Sequence, residues 1–431
     1  MLMRNFFIPE KHMQSSAAQR VVISLLFILV LFVESNAQPV METGGQKMPN
    51  EWIDKSTSHR VTRLTRQEGS SMSFYFHNNP FIGNKMVFYN SSLEQPGAVT
   101  DMKRETYNLN VKNKQLYIMD LKTLATEQLT HESSPMNGEI ISAKRKEIFY
   151  QVKDSVYSVN VETKKRKLLF VFPADFKGGI TTVNADGTLL AGARSTDAEK
   201  EISIKNPEKK DFFNLIFEAR LPRTLFTINV ATGKLVKLFT DSAWLNHVQF
   251  SSTDPSLLMF CHEGPWHKLD RIWTININTK KITLMHKRTM DMEIAGHEWF
   301  GSSGNRIWFD LQQPRGETFF VAGSDVKNTS EVKYKVERND WSVHYTSSED
   351  EKTFAGDGGH PGSVAKAPDG QWINFFTVHG DQLHAEKLVS MKHHDYKLEP
   401  NVHFSPDGKW IIFRANFEGT ENIYAVEIKK S

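Results

Sequence analysis

Seven times along this chain an alternating apolar strand runs into a polar turn and a second apolar strand. The units are FYFHNNPFIGNKMVFY (74–89), EIISAKRKEIFYQV (139–152), TTVNADGTLLAGA (181–193), HVQFSSTDPSLLMFC (247–261), HEWFGSSGNRIWFDL (297–311), VHYTSSEDEKTFAGD (343–357) and NVHFSPDGKWIIFRA (401–415). The turns NADG and SPDG supply the Asp-Gly pairs that close hairpins, and the flanking alternation is that of half-buried strands. Several units continue into a third strand and a turn toward a fourth, as in TLFTINVATGKLVKLF (224–239) and RIWTININTKKITLMH (271–286). Four-stranded units repeating at roughly 40–60 residues predict an all-β, seven-bladed β-propeller in which each blade buries its own small core. That architecture also suits a chain of 431 residues, which is long for one conventional core. The last unit ends its third strand at NIYAVEI with only KKS to follow, so HRVTRLT (59–65) is expected to supply the fourth strand of the last blade and close the ring.

The amino-terminal stretch reads differently. Arg20 precedes the apolar run VVISLLFILVLFV (21–33), and Ser35 and Ala37 stand where a signal peptidase reads small residues. The run falls short of the about 20 residues that span a bilayer, so a cleaved secretory signal is expected, with a retained amino-terminal anchor as the alternative. The expected organisation is a signal peptide over 1–37, a linker over 38–58 and the propeller over 59–431. The product is then exported, periplasmic or secreted, with no integral membrane domain after signal cleavage. Cleavage after Ala37 leaves 50 Lys and Arg against 48 Asp and Glu, so nothing in the charge points to nucleic acid or an acidic membrane face. The lone Cys261 permits no internal disulfide, and directly after LLMF it reads as a small core residue.

In a propeller the first strand of each blade lies nearest the axis, and alternate side chains share a face. Aligning the units on Phe250, Phe300, Tyr345 and Phe404 and counting back one and three places gives Gln249 and His247, Trp299 and His297, His344 and Ser342, and His403 and Asn401. Five places back in the last unit stands Glu399. Histidines recurring at equivalent inner positions point to a shared ligand or a divalent cation, since imidazole and carboxylate are ordinary ligands for such ions. The stretch CHEGPWHKLDRIW (261–273) forms the loop after the second strand of the fourth unit, on the channel rim, where binding chemistry concentrates. Trp266 offers a face on which a sugar ring can stack, while Glu263, Asp270 and Arg271 also suit a local ion-pair network.

These same residues carry a resemblance. CHEGP followed one blade later by GHEW, within HVQFSSTDPSLLMFCHEGPWHKLDRIW, HKRTMDMEIAGHEWF and EPNVHFSPDGKWIIF, resembles the oligogalacturonate lyase family of polysaccharide lyases. The resemblance implies a seven-bladed propeller that cleaves short α-1,4-linked galacturonides by β-elimination, with a histidine base and a manganese ion on the substrate carboxylate. It puts the base at His262 and a metal ligand at His297. The family's two metal-binding histidines in HPHPSF fall here on Glu399 and Asn401, with His403 on the same face as a substitute, and its glutamine ligand falls near Tyr396. His247, His344, Trp266, Arg271 and Arg223 are the candidate substrate-binding residues, with Arg220 a further arginine suited to a carboxylate. A cation on a uronate carboxylate stabilises the charge that develops when the C5 proton leaves, and neutral imidazole is a suitable base near neutral pH. The family's best-known members are cytoplasmic, whereas this chain carries an export signal.

Two other classes compete. A non-catalytic, TolB-like periplasmic propeller binding a protein or glycan partner predicts few ionisable residues at the axis. A glycoside hydrolase needs paired carboxylates there, and the inner strands offer Glu399 alone.

Overall fold

The computed structural model describes residues 38–91 and 114–430, and the chain is all-β with a short helical insertion. The hairpin units form antiparallel meanders. Met136–Ser142, Glu147–Val152, Ser155–Asn160 and Arg166–Val171 make one four-stranded sheet, and the strands within 179–241 and within 245–284 make two more. The meanders of 294–336 and 345–390 are joined through a single parallel pairing, Lys335 with Gln382. Asp-Gly turns sit where expected: Gly187 (φ 70) and Gly408 (φ 67) take the left-handed conformation that closes each hairpin.

The core is divided between neighbouring sheets. Ile140 and Phe149 of one sheet pack with Ile180, Leu190 and Phe226 of the next, and Met259 and Ile272 pack with Ile307 and Phe309. Each such fully buried side chain stabilises by about 1.5–3 kcal/mol.

HRVTRLT contributes the strand Arg60–Arg63, which pairs antiparallel with Asn422–Glu427 through Val61↔Val426. The expected linker 38–58 is itself partly strand: Glu51–Asp54 pairs with Arg60–Arg63, and Val40–Met41 adds beyond it. Trp52, fully buried, anchors this edge and donates its indole N–H to Thr43 at 2.8 Å.

Two features depart from the repeat. Between the second and third strands of the 179–241 meander lie the helices Asp197–Lys205 and Lys209–Ala219, the first capped by the Thr196 hydroxyl. In the first unit, residues 74–79 form no strand; the inner strand of that sheet is Ser70–Met72. The backbone of 73–76 turns instead to side chains near the last sheet. Phe76 N–H donates to Asn401 at 2.9 Å, His403 donates to the Phe74 carbonyl at 3.2 Å and Arg414 to the Ser73 carbonyl at 3.1 Å. No helix among the described residues is long and apolar enough to cross a membrane.

Candidate functional site

His247 (φ 45) and His297 (φ 46) lie at equivalent places on the inner strands Leu245–Phe250 and Ile294–Phe300, both in left-handed backbone. Each interrupts its ladder, with register shifts between Asn246 and Gln249 and between Gly296 and Trp299. Such a bulge re-aims the side chain out of the sheet's alternation. A corresponding break on Met136–Ser142 holds Gly138 (φ 62). Asn401 (φ 51) takes the same conformation before the last inner strand. Left-handed backbone costs a non-glycine residue roughly 1–2 kcal/mol, a strain that concentrates at functional positions.

Each inner histidine of three consecutive units is met by a carboxylate from the second strand of its own unit, or the residue just past it. His247 Nε2 lies 3.4 Å from Glu263. His297 Nδ1 donates to Asp310 at 3.0 Å, and His344 Nδ1 to Asp357 at 2.8 Å. Carboxylate partners on Nδ1 fix the tautomer and leave Nε2 of His297 and His344 as the working atoms. The His297 and His344 rings meet edge to face, centroids 4.8 Å apart. Near His344 Nε2 are Tyr75 Oη at 3.1 Å and Glu399 Oε2 at 3.8 Å. Burial works against charge on His344, but Asp357 and Glu399 reverse it and raise its pKa.

The displaced segment 74–79 supplies residues absent from the inner-strand alignment. Phe76 stacks on His344 with centroids 4.8 Å apart and also meets His297 and Trp299. His77 is held neutral, its pKa pushed to about 3 by burial, with His247 and His344 adding to the effect. The FYFHNN of the first unit was the available sequence signal, hidden because counting back along a strand fails where no strand forms.

Beside this cluster lies a buried ionic network. Arg271, 1% exposed, donates to Glu263 at 2.7 Å and to Glu298 at 3.2 Å. Burial works to raise the Glu263 carboxyl, yet Arg271 and His247 hold it well below the usual range. Trp266 donates its indole N–H to Glu263 at 3.0 Å, lies under the Arg271 guanidinium at 4.5 Å and meets His297 at 5.2 Å. His247, Cys261 and Glu263 offer donors within 4.8 Å of one another, the spacing of a metal site. Arg271 already occupies Glu263, and burial keeps the Cys261 thiol protonated, so this trio is a poor cation site.

Several expected residues fall elsewhere. His262 ends Leu257–His262 on the face opposite Cys261, its ring stacked on Trp273 at 4.9 Å, and burial lowers its pKa. Its ring contacts are Trp273 and Phe260, not the histidine cluster. Asn401 is committed to the Phe76 N–H and the Glu399 carbonyl. His403 faces the Phe74 carbonyl, its pKa driven to about 4 by burial. Of the expected metal set, His297 and Glu399 keep donors for other partners, while Asn401 and His403 serve the backbone. Arg271 is enclosed by its two carboxylates, and Arg223 pairs with Glu199 and donates to the Leu245 carbonyl at 2.9 Å. Tyr396 donates to the Asp357 carbonyl at 3.0 Å.

A family model described as oligogalacturonate lyase matches residues 46–431. An oligogalacturonide lyase of Pectobacterium atrosepticum is 23% identical over 410 residues, covering 90% of this chain and 98% of the relative. An oligogalacturonate lyase of Dickeya dadantii is 24% identical over 398 residues, covering 88% and 95%. Among solved structures, an oligogalacturonate lyase in complex with manganese matches with a TM-score of 0.73 at 21% identity, over 90% of this chain and 99% of that one. An oligogalacturonate lyase from Vibrio parahaemolyticus matches with a TM-score of 0.72 at 20% identity and the same coverage.

Proposed function

The chain belongs to the oligogalacturonate lyase family, and on that premise we propose that it cleaves short α-1,4-linked galacturonides by β-elimination, leaving a 4,5-unsaturated uronate. We read its four-stranded meanders as the blades of a seven-bladed propeller, closed where Arg60–Arg63 pairs with Asn422–Glu427. The observation that carries the catalytic reading is the His297–Asp310 pair beside His344–Asp357. His262 is the base in this reading, and His297 is a ligand of the cation. The bulge at His297 aims its ring out of the sheet, its side chain is 11% exposed, and Asp310 on Nδ1 leaves Nε2 to meet a cation.

His344 and Glu399 suit a divalent cation, because an imidazole whose Nδ1 is fixed by a carboxylate stands 3.8 Å from a second, partly exposed carboxylate. Manganese, the ion in the related solved structure, is the ion we propose. Bound there, it would stabilise negative charge on the substrate carboxylate as C5 loses its proton. Asp357 orients His344, Phe76 covers its ring face, and Asp310 holds the His297 tautomer.

We further propose that residues 1–37, outside the described residues, direct export, so that the mature chain begins near Gln38. Amino-terminal sequencing of the purified protein tests this: an intact Met1 on a cytosolic protein overturns it. The reaction is tested by incubation with di- and trigalacturonate and mass spectrometry of the products, with elemental analysis of the enzyme. An unsaturated terminus supports the lyase, and a product carrying added water replaces it with a hydrolase.

A further inference from the structure

The imidazoles of the site are backed in two different ways. His247, His297 and His344 each meet a carboxylate, at 3.4, 3.0 and 2.8 Å. His262 is backed by a ring instead: the Trp273 indole lies 4.9 Å away, its plane 26° from that of the imidazole. Among the described residues no carboxylate hydrogen-bonds to the His262 ring, and Asp241 and Asp270 act on it only through their charge.

We propose that Trp273 is the positioning residue for the base: it holds the His262 imidazole by one face and leaves the nitrogen-bearing edge for the C5 hydrogen of the substrate. The inference rests on the reading of His262 as base given above. The strand pairing dictates the stack. Phe260 stands opposite Trp273, and His262, two residues further along, shares their face of the sheet. The backbone under the imidazole is pinned on both sides, since the His262 N–H donates to the Arg271 carbonyl at 2.9 Å and His262 pairs with Leu245 across the other ladder. Trp273 is anchored too. Its indole N–H donates to the Asp270 carbonyl at 2.9 Å, and Leu284 pairs with it from the far side. Phe260 closes the remaining side, meeting the imidazole at 5.9 Å with the rings 43° apart.

A base must meet its substrate neutral and leave the step protonated, and an indole face serves both needs. Burial, to which Trp273 contributes, outweighs Asp241 and Asp270 and lowers the His262 pKa from 6.5, with Arg220 acting in the same direction. Once the imidazole holds the C5 proton, the π face attracts the cation so formed. A carboxylate on the ring would act oppositely, keeping a proton there before the substrate arrives.

The test measures kcat and KM on digalacturonate across pH for Trp273→Phe, Trp273→Leu and Trp273→Ala, each checked by melting. Phenylalanine keeps an aromatic face under the imidazole, so its kcat should stay within about 3-fold of wild type. Leucine covers the ring without a π face and alanine uncovers it. Both should lose about 10- to 10²-fold in kcat with little change in KM, alanine the more. Trp273→Ala should also move the acid limb of kcat/KM upward, toward pH 6.5, because water then reaches the ring. If alanine prevents folding, the contrast between phenylalanine and leucine decides alone. Equal kcat for those two variants overturns the positioning role while the lyase reading stands. So does a Trp273→Ala enzyme that loses kcat only in proportion to its unfolded fraction and keeps the wild-type acid limb. A fully active His262→Ala removes the base reading and this inference with it, and a wild-type enzyme that leaves digalacturonate intact removes the lyase reading as well.

Discussion

Asp357 holds His344 at two points: Oδ1 accepts the backbone N–H at 2.8 Å and Oδ2 accepts Nδ1–H at 2.8 Å. Neither side chain has exposed surface. Removing the carboxylate strands a buried imidazole and a buried amide together. Asp357→Ala should therefore destabilise by about 3–5 kcal/mol, the range for breaking a buried pair from one side. Chemical denaturation followed by tryptophan fluorescence measures it, and a midpoint matching wild type rules out a structural role for the pair.

The bulge at His297 separates backbone strain from chemistry. His297→Ala and His297→Gly both remove the imidazole, and both should lose the bound cation and activity together, read by elemental analysis beside the product assay. At φ 46, however, alanine keeps the Cβ that crowds left-handed backbone and glycine does not. The glycine variant should be more stable than the alanine variant by about 1–2 kcal/mol. Equal stabilities mean that the left-handed bulge is absent in solution.

Hairpins, Asp-Gly turns and the inner-strand histidines were legible because strand alternation and turn chemistry are local. The carboxylate behind each histidine is a local signal too. Glu263 and Asp357 stand just past an apolar second strand and Asp310 within one, in LLMFCHE, TFAGD and RIWFD. What escaped was non-local. Residues 74–79 have the pattern of a strand, yet Asn401, His403 and Arg414, more than 300 positions away, take up their backbone groups and pull Tyr75 and Phe76 onto His344. The surroundings of His262 and Arg271 are non-local for a related reason. Motif spacing says which residues share a loop, whereas strand alternation puts His262 against Trp273 and burial encloses Arg271 between two carboxylates.

Away from the site, His286 bridges Glu293 at 2.8 Å and Glu331 at 2.7 Å. Burial opposes its charge, but the two carboxylates outweigh burial and raise its pKa above 6.5. A raised histidine contributes stability that is full below its ordinary value and is lost as pH climbs through the raised one. Glu293 runs the other way: burial would raise it, but Thr289, Gln313 and His286 lower it from 4.5, so its contribution is lost as pH falls through the lowered value. The pair should stabilise most between about pH 4.5 and 6.5. His286→Gln should cost about 1.5–3 kcal/mol near pH 5.5 and less near pH 8.5, read from melting curves. A pH-independent difference removes the ionic account.

Gly296, next to His297, is the place where the loop of Trp266 touches the inner strand. A Cβ there would lie 2.1 Å from Trp266 Cζ3, closer than any real contact, so the indole needs a residue without a side chain. Trp266 cannot simply rotate away, because its N–H is bonded to Glu263 and its face lies under Arg271. Gly296→Ala should cost about 1–3 kcal/mol as an overpacking defect and shift the tryptophan emission. It should also lower turnover, since displacing Trp266 disturbs Glu263 behind His247 and the edge of His297. The decisive measurement is a double-mutant cycle. In a Trp266→Ala background the clash has no partner, so Gly296→Ala should there cost far less, with a coupling energy of about 0.5–3 kcal/mol. Additive effects of the two substitutions mean that Gly296 is required for some reason other than the indole.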